Sequence, residues 1–327
     1  MHFSASAFAP ACASPNHCEA DPLRLYPDAS GGEAAVTRYR VFPGMELDYR
    51  DVHARACREL RDGSGERLEI HHCLEGRVEY RQNGRYFYLS PGDLAVARTS
   101  SLPPDSRFPT GHYHGITVTI DPAAAPECLS CILSDVEVRP ATLMEKLCPG
   151  GTVFTARSSR RVKHVFSELY AVPEDIRKGY LKVKLLELLL FLSTLSPEDG
   201  QTPHGCTAAQ VSLAEQVKAR LLAEPDRTLT LKSLSQQFNV SEAQIKSSFA
   251  GVYGMSPAAY ARSQRMHGAA ALLRETDRTV LDIACQFGYD NASKFTESFK
   301  KRYGVTPSQY RGTAKNVSKW SSQIKTE

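Results

Sequence analysis

The chain has 327 residues, nine of them cysteine, with 40 Lys and Arg against 36 Asp and Glu. An odd cysteine count without a secretory apolar core argues against a disulfide framework and for a reducing cytoplasm. The small net charge of +4 conceals an uneven division: residues 1–207 hold 23 basic against 26 acidic residues, whereas residues 208–311 hold 14 against 9. The opening MHFSASAFAPACASPNHC has no positive leader and no sustained apolar run, so residues 1–35 read as a loose lead-in. Within it Cys12, His17 and Cys18 lack a matching second ligand pair and read as structural groups rather than a zinc site.

Residues 36–157 read as an antiparallel β domain, its strands lying roughly between 36 and 140. Short apolar and aromatic runs, RLEIHHCL, EGRVEYRQNG, RYFYLSPGD, LAVAR and GHYHGITVTI, are separated by turn residues. Asn83-Gly84 predicts a tight hairpin, and Ser90-Pro91-Gly92-Asp93 predicts a second turn. Cys128-x-x-Cys131 has no partner pair and reads as structural thiols. Residues 158–196 are expected to be helical, with Leu181, Leu185, Leu188, Leu189 and Leu192 on one broad face. LLELLLFL is too short and too charged at its flanks to span a membrane. The segment 197–207 is polar, rich in Pro and Gly, and reads as a linker.

Residues 208–311 carry an internal duplication. LKSLSQQF breaks at Asn239-Val240 and restarts at Ser241, whose hydroxyl suits an N-cap. VLDIACQF breaks at Gly288-Tyr289, and Asp290 or Asn291 starts the next helix. Leu234, Phe238, Ile245 and Phe249 have counterparts in Ile283, Phe287, Phe295 and Phe299, which gives two helix-turn-helix units in an all-α domain. Pro257 starts a long helix between them, running to about Glu275, with Tyr260, Met266, Ala269, Ala270, Leu272 and Leu273 available for packing. Such a strut sets two groove-reading helices about 34 Å apart on one face of B-DNA. On the first reading helix Gln244, Lys246 and Ser247 lie away from the apolar stripe. Gln244 suits adenine or plain solvation, and Lys246 suits guanine or phosphate. Cys285 reads as a small packed hydrophobe, and residues 312–327 as a polar tail.

The run DIACQFGYDNASKFTESFKKRYGVTPSQYR, with Ile283, Ala284, Gly288, Tyr289, Phe295, Phe299, Lys300, Gly304, Thr306, Pro307 and Tyr310, resembles the DNA-binding domain of the AraC/XylS family of bacterial transcriptional regulators. Gly254, Pro257, Tyr260, Arg265, Ala269 and Leu273 extend the likeness through the first half. The resemblance implies base contacts from Ala292, Ser293, Lys294 and Glu297, with Glu297 accepting from cytosine or orienting Lys294 or Lys301. It implies backbone contacts from Arg265, Asn291, Thr296, Lys300, Lys301 and Arg302. At Ser247 the family often carries a long basic residue, and this chain does not. Promoter DNA is the implied partner, with RNA polymerase for an activator and a homodimer formed through the helices of 158–196.

EGRVEYRQNGRYFYLSPGDLAV resembles the cupin-like sensor domain found ahead of many such DNA-binding domains. Together the two resemblances imply an α+β two-domain protein: an N-terminal cupin-like antiparallel barrel, interdomain helices and a C-terminal all-α reader. LEIHHCLEGRVEY and YLSPGD are also similar to regulators controlled by iron-siderophore complexes, which implies a small effector of that class. Arg50, His72, Arg77, Tyr80, Tyr86, Tyr88, Arg98, His112 and His114 are the candidate effector-binding residues, of which strand alternation leaves about half outside. Cupins also include metal enzymes, which makes His71, His72, Cys73, Glu75, His112 and His114 the candidate ligands. His71 and His72 point to opposite faces, and His71-His72-Cys73 breaks the His-x-His spacing. No catalytic residue, cofactor or metal is therefore assigned. The alternatives are a cupin-type metal-dependent enzyme using His72, His112 and His114, and an adaptor that binds DNA without sequence choice.

Overall fold

The computed structural model describes residues 20–24, 26–27, 31–58, 65–125, 138–200, 205–223 and 229–312. Cys12, His17, Cys18, Cys128 and Cys131 lie outside them. Two compact units divide the chain, a β-rich one within residues 12–209 together with 251–253, and a helical one that takes in the rest of the chain from 210 onward.

Among the described residues the front unit has twelve strands: β1 (Ala20–Arg24), β2 (Tyr26–Pro27), β3 (Gly32–Phe42), β4 (Met45–Ala54), β5 (Ala56–Arg58), β6 (Leu68–Gly76), β7 (Val78–Gln82), β8 (Arg85–Leu89), β9 (Leu94–Arg98), β10 (Asp105–Arg107), β11 (Tyr113–Ile120) and β12 (Phe154–Ala156). They are antiparallel and spread over three sheets, ordered β1-β3-β4-β11-β6-β9-β12, β10-β5-β2 and β7-β8. No hydrogen-bonded ring closes them into a single barrel among the described residues, in contrast to the expected barrel. β1, β2 and the start of β3 fall in the stretch expected as a lead-in; their short length and mixed polarity hid the strand pattern. The hairpin at Asn83-Gly84 forms as expected, with both residues at positive φ (50° and 71°), the signature of a type I′ turn.

Strand alternation sorts the front core into two clusters. One face of the large sheet, carrying Met45, Leu47, Tyr49, Ile70, Ile116 and Val118, packs with α1 (Pro140–Leu147), α2 (Arg160–Ser167) and α3 (Arg177–Thr194). The other face, with Val52, Ala54, Cys73, Ala95 and Tyr113, packs with Val78, Tyr80, Phe87 and Leu89 of the hairpin sheet. The expected leucine face of α3 is realised: Leu181, Leu185, Leu188, Leu189 and Leu192 are all buried. Lys184 is buried among them, and its ammonium reaches Glu168 at 3.0 Å and also pairs with Glu187. Asp48, buried on β4 opposite Arg38 of β3, accepts two hydrogen bonds from the Arg38 guanidinium at 2.8 and 2.9 Å, a charge-assisted fork that offsets its desolvation. In the segment read as linker, Cys206 exchanges two backbone hydrogen bonds with Tyr86 near the start of β8.

The helical unit contains α4 (Ala208–Ala223), α5 (Leu231–Phe238), α6 (Glu242–Tyr253), α7 (Pro257–Glu275), α8 (Val280–Gln286) and α9 (Ala292–Tyr303). Pro257 occupies the first turn of α7, where its missing N–H is harmless, and Ser256 caps that helix. Tyr260, Met266, Ala269, Ala270 and Leu273 are buried along α7, as the spacing predicts, while Leu272 is half-buried. No helix among the described residues is long and apolar enough to cross a membrane.

Candidate nucleic-acid interface

The duplication seen in the residues is repeated in the local geometry. Thr230 and Thr279 cap α5 and α8, accepting from the amides of Ser233 and Asp282 at 3.1 and 3.0 Å. After α5 the chain turns through Asn239 in the left-handed conformation (φ 52°), and after α8 through Gly288 (φ 76°). Ser241 then caps α6 by accepting from Gln244 N at 3.2 Å. Asn291, rather than Asp290, caps α9, its Oδ1 accepting from Lys294 N at 2.8 Å. Both α6 and α9 end on left-handed glycines, Gly254 and Gly304.

Each of these helices divides into a buried stripe and an exposed face. Ile245 and Phe249 on α6, and Phe295 and Phe299 on α9, are completely buried. Phe299 packs against Phe295, Tyr303 and Tyr310, with ring centroids 4.5 to 5.6 Å apart. Gln244, Lys246 and Ser247 are exposed together on α6, although the Ser247 hydroxyl is turned back to donate to Gln244 O at 3.1 Å. Ser293, Lys294 and Glu297 are exposed on α9, with Ala292 and Thr296 half-buried. Among the described residues Glu297 forms no ion pair with Lys294 or Lys301, so its carboxylate is not committed to orienting either lysine. Lys300 and Lys301 are exposed at the last turn of α9, where the helix dipole favours cations. Arg302 lies there too, its Nη2 3.2 Å from His267 Nε2 of α7. Arg265 is half-buried, with Nε donating to Ala261 O at 3.5 Å and its guanidinium beside the Gly288 turn. The backbone-contact candidates thus sit on α7 (Arg265), at the N-cap of α9 (Asn291), in its middle (Thr296) and in its last turn (Lys300, Lys301 and Arg302).

The front unit disperses the candidate effector residues. Arg50 and Tyr80 line a cavity between the sheets, with Glu69, His71, Ser106, Phe108 and Tyr113. Its volume of about 20 Å³ admits a water molecule but not an organic effector. His72 faces the opposite way: its ring stacks on Phe166 at 4.1 Å, its Nδ1 lies 2.9 Å from the Tyr170 hydroxyl, and burial pushes its pKa down to about 4. Arg77 donates to Ser90 Oγ at 3.0 Å and lies over the Tyr88 ring, while the Tyr88 hydroxyl donates to Glu79 at 3.0 Å. Tyr86 stacks beneath Arg81, and Arg98 is committed to Glu145 and the Cys148 carbonyl. Burial lowers the pKa of His112, whereas the hydrogen bond to Asp51 raises that of His114. Glu69, 3.1 Å from His71, is a charged cavity residue that sequence reasoning passed over, and His71 enters that reasoning only as a candidate metal ligand. Their alternation with Cys73 along β6 was the available signal. His72, His112 and His114 do not converge as a ligand set; His114 instead groups with Asp51 and His53.

Two paired helices with capped, polar exposed faces on a basic helical unit define a DNA-binding transcription regulator of the helix-turn-helix type. Residues 234–313 match the helix-turn-helix domain family. The HTH-type transcriptional regulator ExsA of Pseudomonas aeruginosa is 37% identical over 241 residues, covering 73% of this chain and 84% of ExsA. The chain belongs to the AraC family of transcriptional regulators. The transcriptional regulator Rob of Salmonella typhimurium is 35% identical over 97 residues, 30% of this chain and 32% of Rob, so this match spans about a third of that relative. Among solved structures, a probable AraC family transcriptional regulator from Rhodopseudomonas palustris is 28% identical, covers 32% of this chain and 97% of that one, and has a TM-score of 0.29.

Proposed function

We propose that the chain reads a specific promoter sequence through two helix-turn-helix motifs, α5–α6 and α8–α9, held by α7. The carrying observation is the paired disposition of α6 and α9, each with two fully buried anchors and a polar exposed face. Gln244, Lys246 and Ser247 contact bases from α6, and Ala292, Ser293, Lys294 and Glu297 from α9. Arg265, Asn291, Thr296, Lys300, Lys301 and Arg302 hold the phosphates. Nineteen residues of α7 span about 28 Å, close to one helical turn of B-DNA. Competition of a promoter duplex against scrambled DNA at fixed salt tests the reading, since phosphate attraction is common to both and base readout is not. Equal competition by the two duplexes rejects sequence-specific reading.

The part of the β-rich unit between residues 36 and 157 acts as a cupin-like sensor of a small effector in the cytoplasm, and no catalysis is assigned to it. The three antiparallel sheets and the cavity between them, lined in part by Arg50, Tyr80 and Glu69, support this reading. The cavity as it stands is too small for an organic effector, so an effector binding there separates the sheets and by that differential affinity shifts the protein between two states. A thermal-shift screen that includes iron-siderophore complexes, followed by promoter binding with and without the hit, tests it. A saturating ligand that changes neither DNA affinity nor transcription rejects control by that ligand. Dimerisation is assigned to the outer side of α3, where Val183 is 63% exposed and Ile176, the residue just ahead of the helix, 54%. Sedimentation of Val183→Glu against wild type decides it, with an unchanged mass distribution counting against the assignment. An activating role further implies contact with RNA polymerase.

A further inference from the structure

The helix-covered face of the large sheet continues beyond Tyr49 along β4, and there three side chains of metal-ligating type converge. Asp51 and His53 are two residues apart on β4 and therefore share a face. His114 on β11 lies directly opposite Asp51 in the strand register. Asp51 Oδ1 is 3.0 Å from His53 Nε2 and 3.1 Å from His114 Nδ1, and the three donor atoms all lie within 4.8 Å of one another. A tetrahedral dication with ligand bonds of about 2.0–2.2 Å needs donor atoms about 3.3–3.5 Å apart. Two of the separations are thus within a few tenths of an ångström of that edge before any ion enters.

The surroundings favour a cation as well. Glu33 on β3 is opposite His53, and Glu75 on β6 is opposite His114, so a carboxylate flanks each imidazole on the same face. A further imidazole, that of His112, has its ring centroid 6.5 Å from that of His114. The side chains of Asp51, His53 and His114 are 30%, 53% and 22% exposed, which gives an ion a path in and leaves a position for water. Backbone hydrogen bonding across β4 and β11 fixes the spacing of the ligands, so little ordering accompanies binding.

We propose that Asp51, His53 and His114 form a site for a borderline transition-metal dication of the Zn²⁺ class, with three protein ligands and an open position. Two imidazoles and one carboxylate suit such ions better than Mg²⁺ or Ca²⁺, which prefer all-oxygen sets. The site is distinct from the cavity between the sheets and does not depend on the effector reading.

The test uses the full chain, stripped with chelator and titrated with Co²⁺, then Zn²⁺, at neutral pH, with visible absorption and equilibrium dialysis as readouts. The expected result is one saturable equivalent per chain, displaced by Zn²⁺, that is absent in His53→Ala and His114→Ala and at least about tenfold weaker in Asp51→Asn. His164→Ala, an exposed histidine on α2, leaves that equivalent unchanged. Asp51→Asn is nearly isosteric and decides the matter where an alanine variant fails to fold. Wild type and Asp51→Asn binding the same number of ions with the same affinity overturns the site, as does the absence of saturable binding to wild type.

Discussion

Replacing Asn291 separates two roles that one side chain has been given. Its Oδ1 caps α9 by accepting from Lys294 N at 2.8 Å, while its amide NH₂ is free to face a phosphate. Losing an N-cap acceptor costs about 1 kcal/mol, which lowers the ratio of ordered to frayed first turn about fivefold. That turn carries Ala292, Ser293 and Lys294, so Asn291→Ala should weaken specific DNA binding by about two- to fivefold, the upper limit being set by the cap itself. Serine keeps a capping acceptor and discards the amide, so Asn291→Ser should retain wild-type affinity if capping is the dominant role. Aspartate keeps the cap but places a negative charge at the phosphates, and its loss of affinity should diminish with salt. Fluorescence anisotropy at several salt concentrations reads affinity, and hydrogen exchange at Lys294 and Phe295 reads order in the turn. If serine loses as much affinity as alanine while exchange is unchanged, Asn291 acts by direct contact and the capping argument fails.

Lys294→Ala should relax preference at one base pair by about 1–3 kcal/mol in a binding-site selection, whereas Lys301→Ala should weaken all sequences alike and reduce the salt slope by about one; identical base preferences for Lys294→Ala and wild type refute the base contact. Gly76→Ala and Gly288→Ala both force alanine into positive φ, at a cost of about 1–2 kcal/mol. At Gly288 the new methyl meets only Arg265 Nη1 at 3.6 Å, but at Gly76 it overlaps the His112 carbonyl, so urea unfolding resolved by hydrogen exchange in each unit should show a much larger loss at Gly76. Equal losses would refute that reasoning. His72, with a folded pKa of about 4 against an ordinary value near 6.5, stays neutral in the native state while the unfolded chain takes up a proton. Its contribution is intact above pH of about 6.5 and is lost as pH falls toward about 4, amounting to about 3 kcal/mol at most. His72→Phe should flatten that part of the stability profile, and an unchanged profile in thermal melts would count against the burial argument.

The helical unit was largely legible in the sequence because its determinants are local. Caps at Ser241 and Asn291, left-handed turns at Asn239 and Gly288, and apolar stripes through Phe249 and Phe299 all lie within a few residues of the helices they shape. In the front unit the strands from 68 to 120 and the leucine face of α3 were equally readable. Convergence across strands was not. Asp51 meets His114 only through the register of β4 with β11, and Glu69 and His71 meet Tyr80 only by sheet packing. Alternation told which side of a strand His72 occupies relative to His71, but not that α2 and Tyr170 cover it. Hence residues chosen for their chemistry alone, such as Arg98 and Tyr88, turned out to be engaged with Glu145 and Glu79.

The unbroken course of α7 from Pro257 to Glu275 has a consequence for the DNA rather than for the protein. If α6 and α9 both read bases, one inserted base pair between their half-sites moves the second by about 3.4 Å and turns it by about 35° around the duplex axis. A continuous hydrogen-bonded helix has no hinge with which to follow that rotation, in contrast to two readers on a flexible tether. Promoters served by such a protein should therefore vary in base identity more freely than in spacer length, and a half-turn insertion should abolish two-site binding where a base substitution only weakens it.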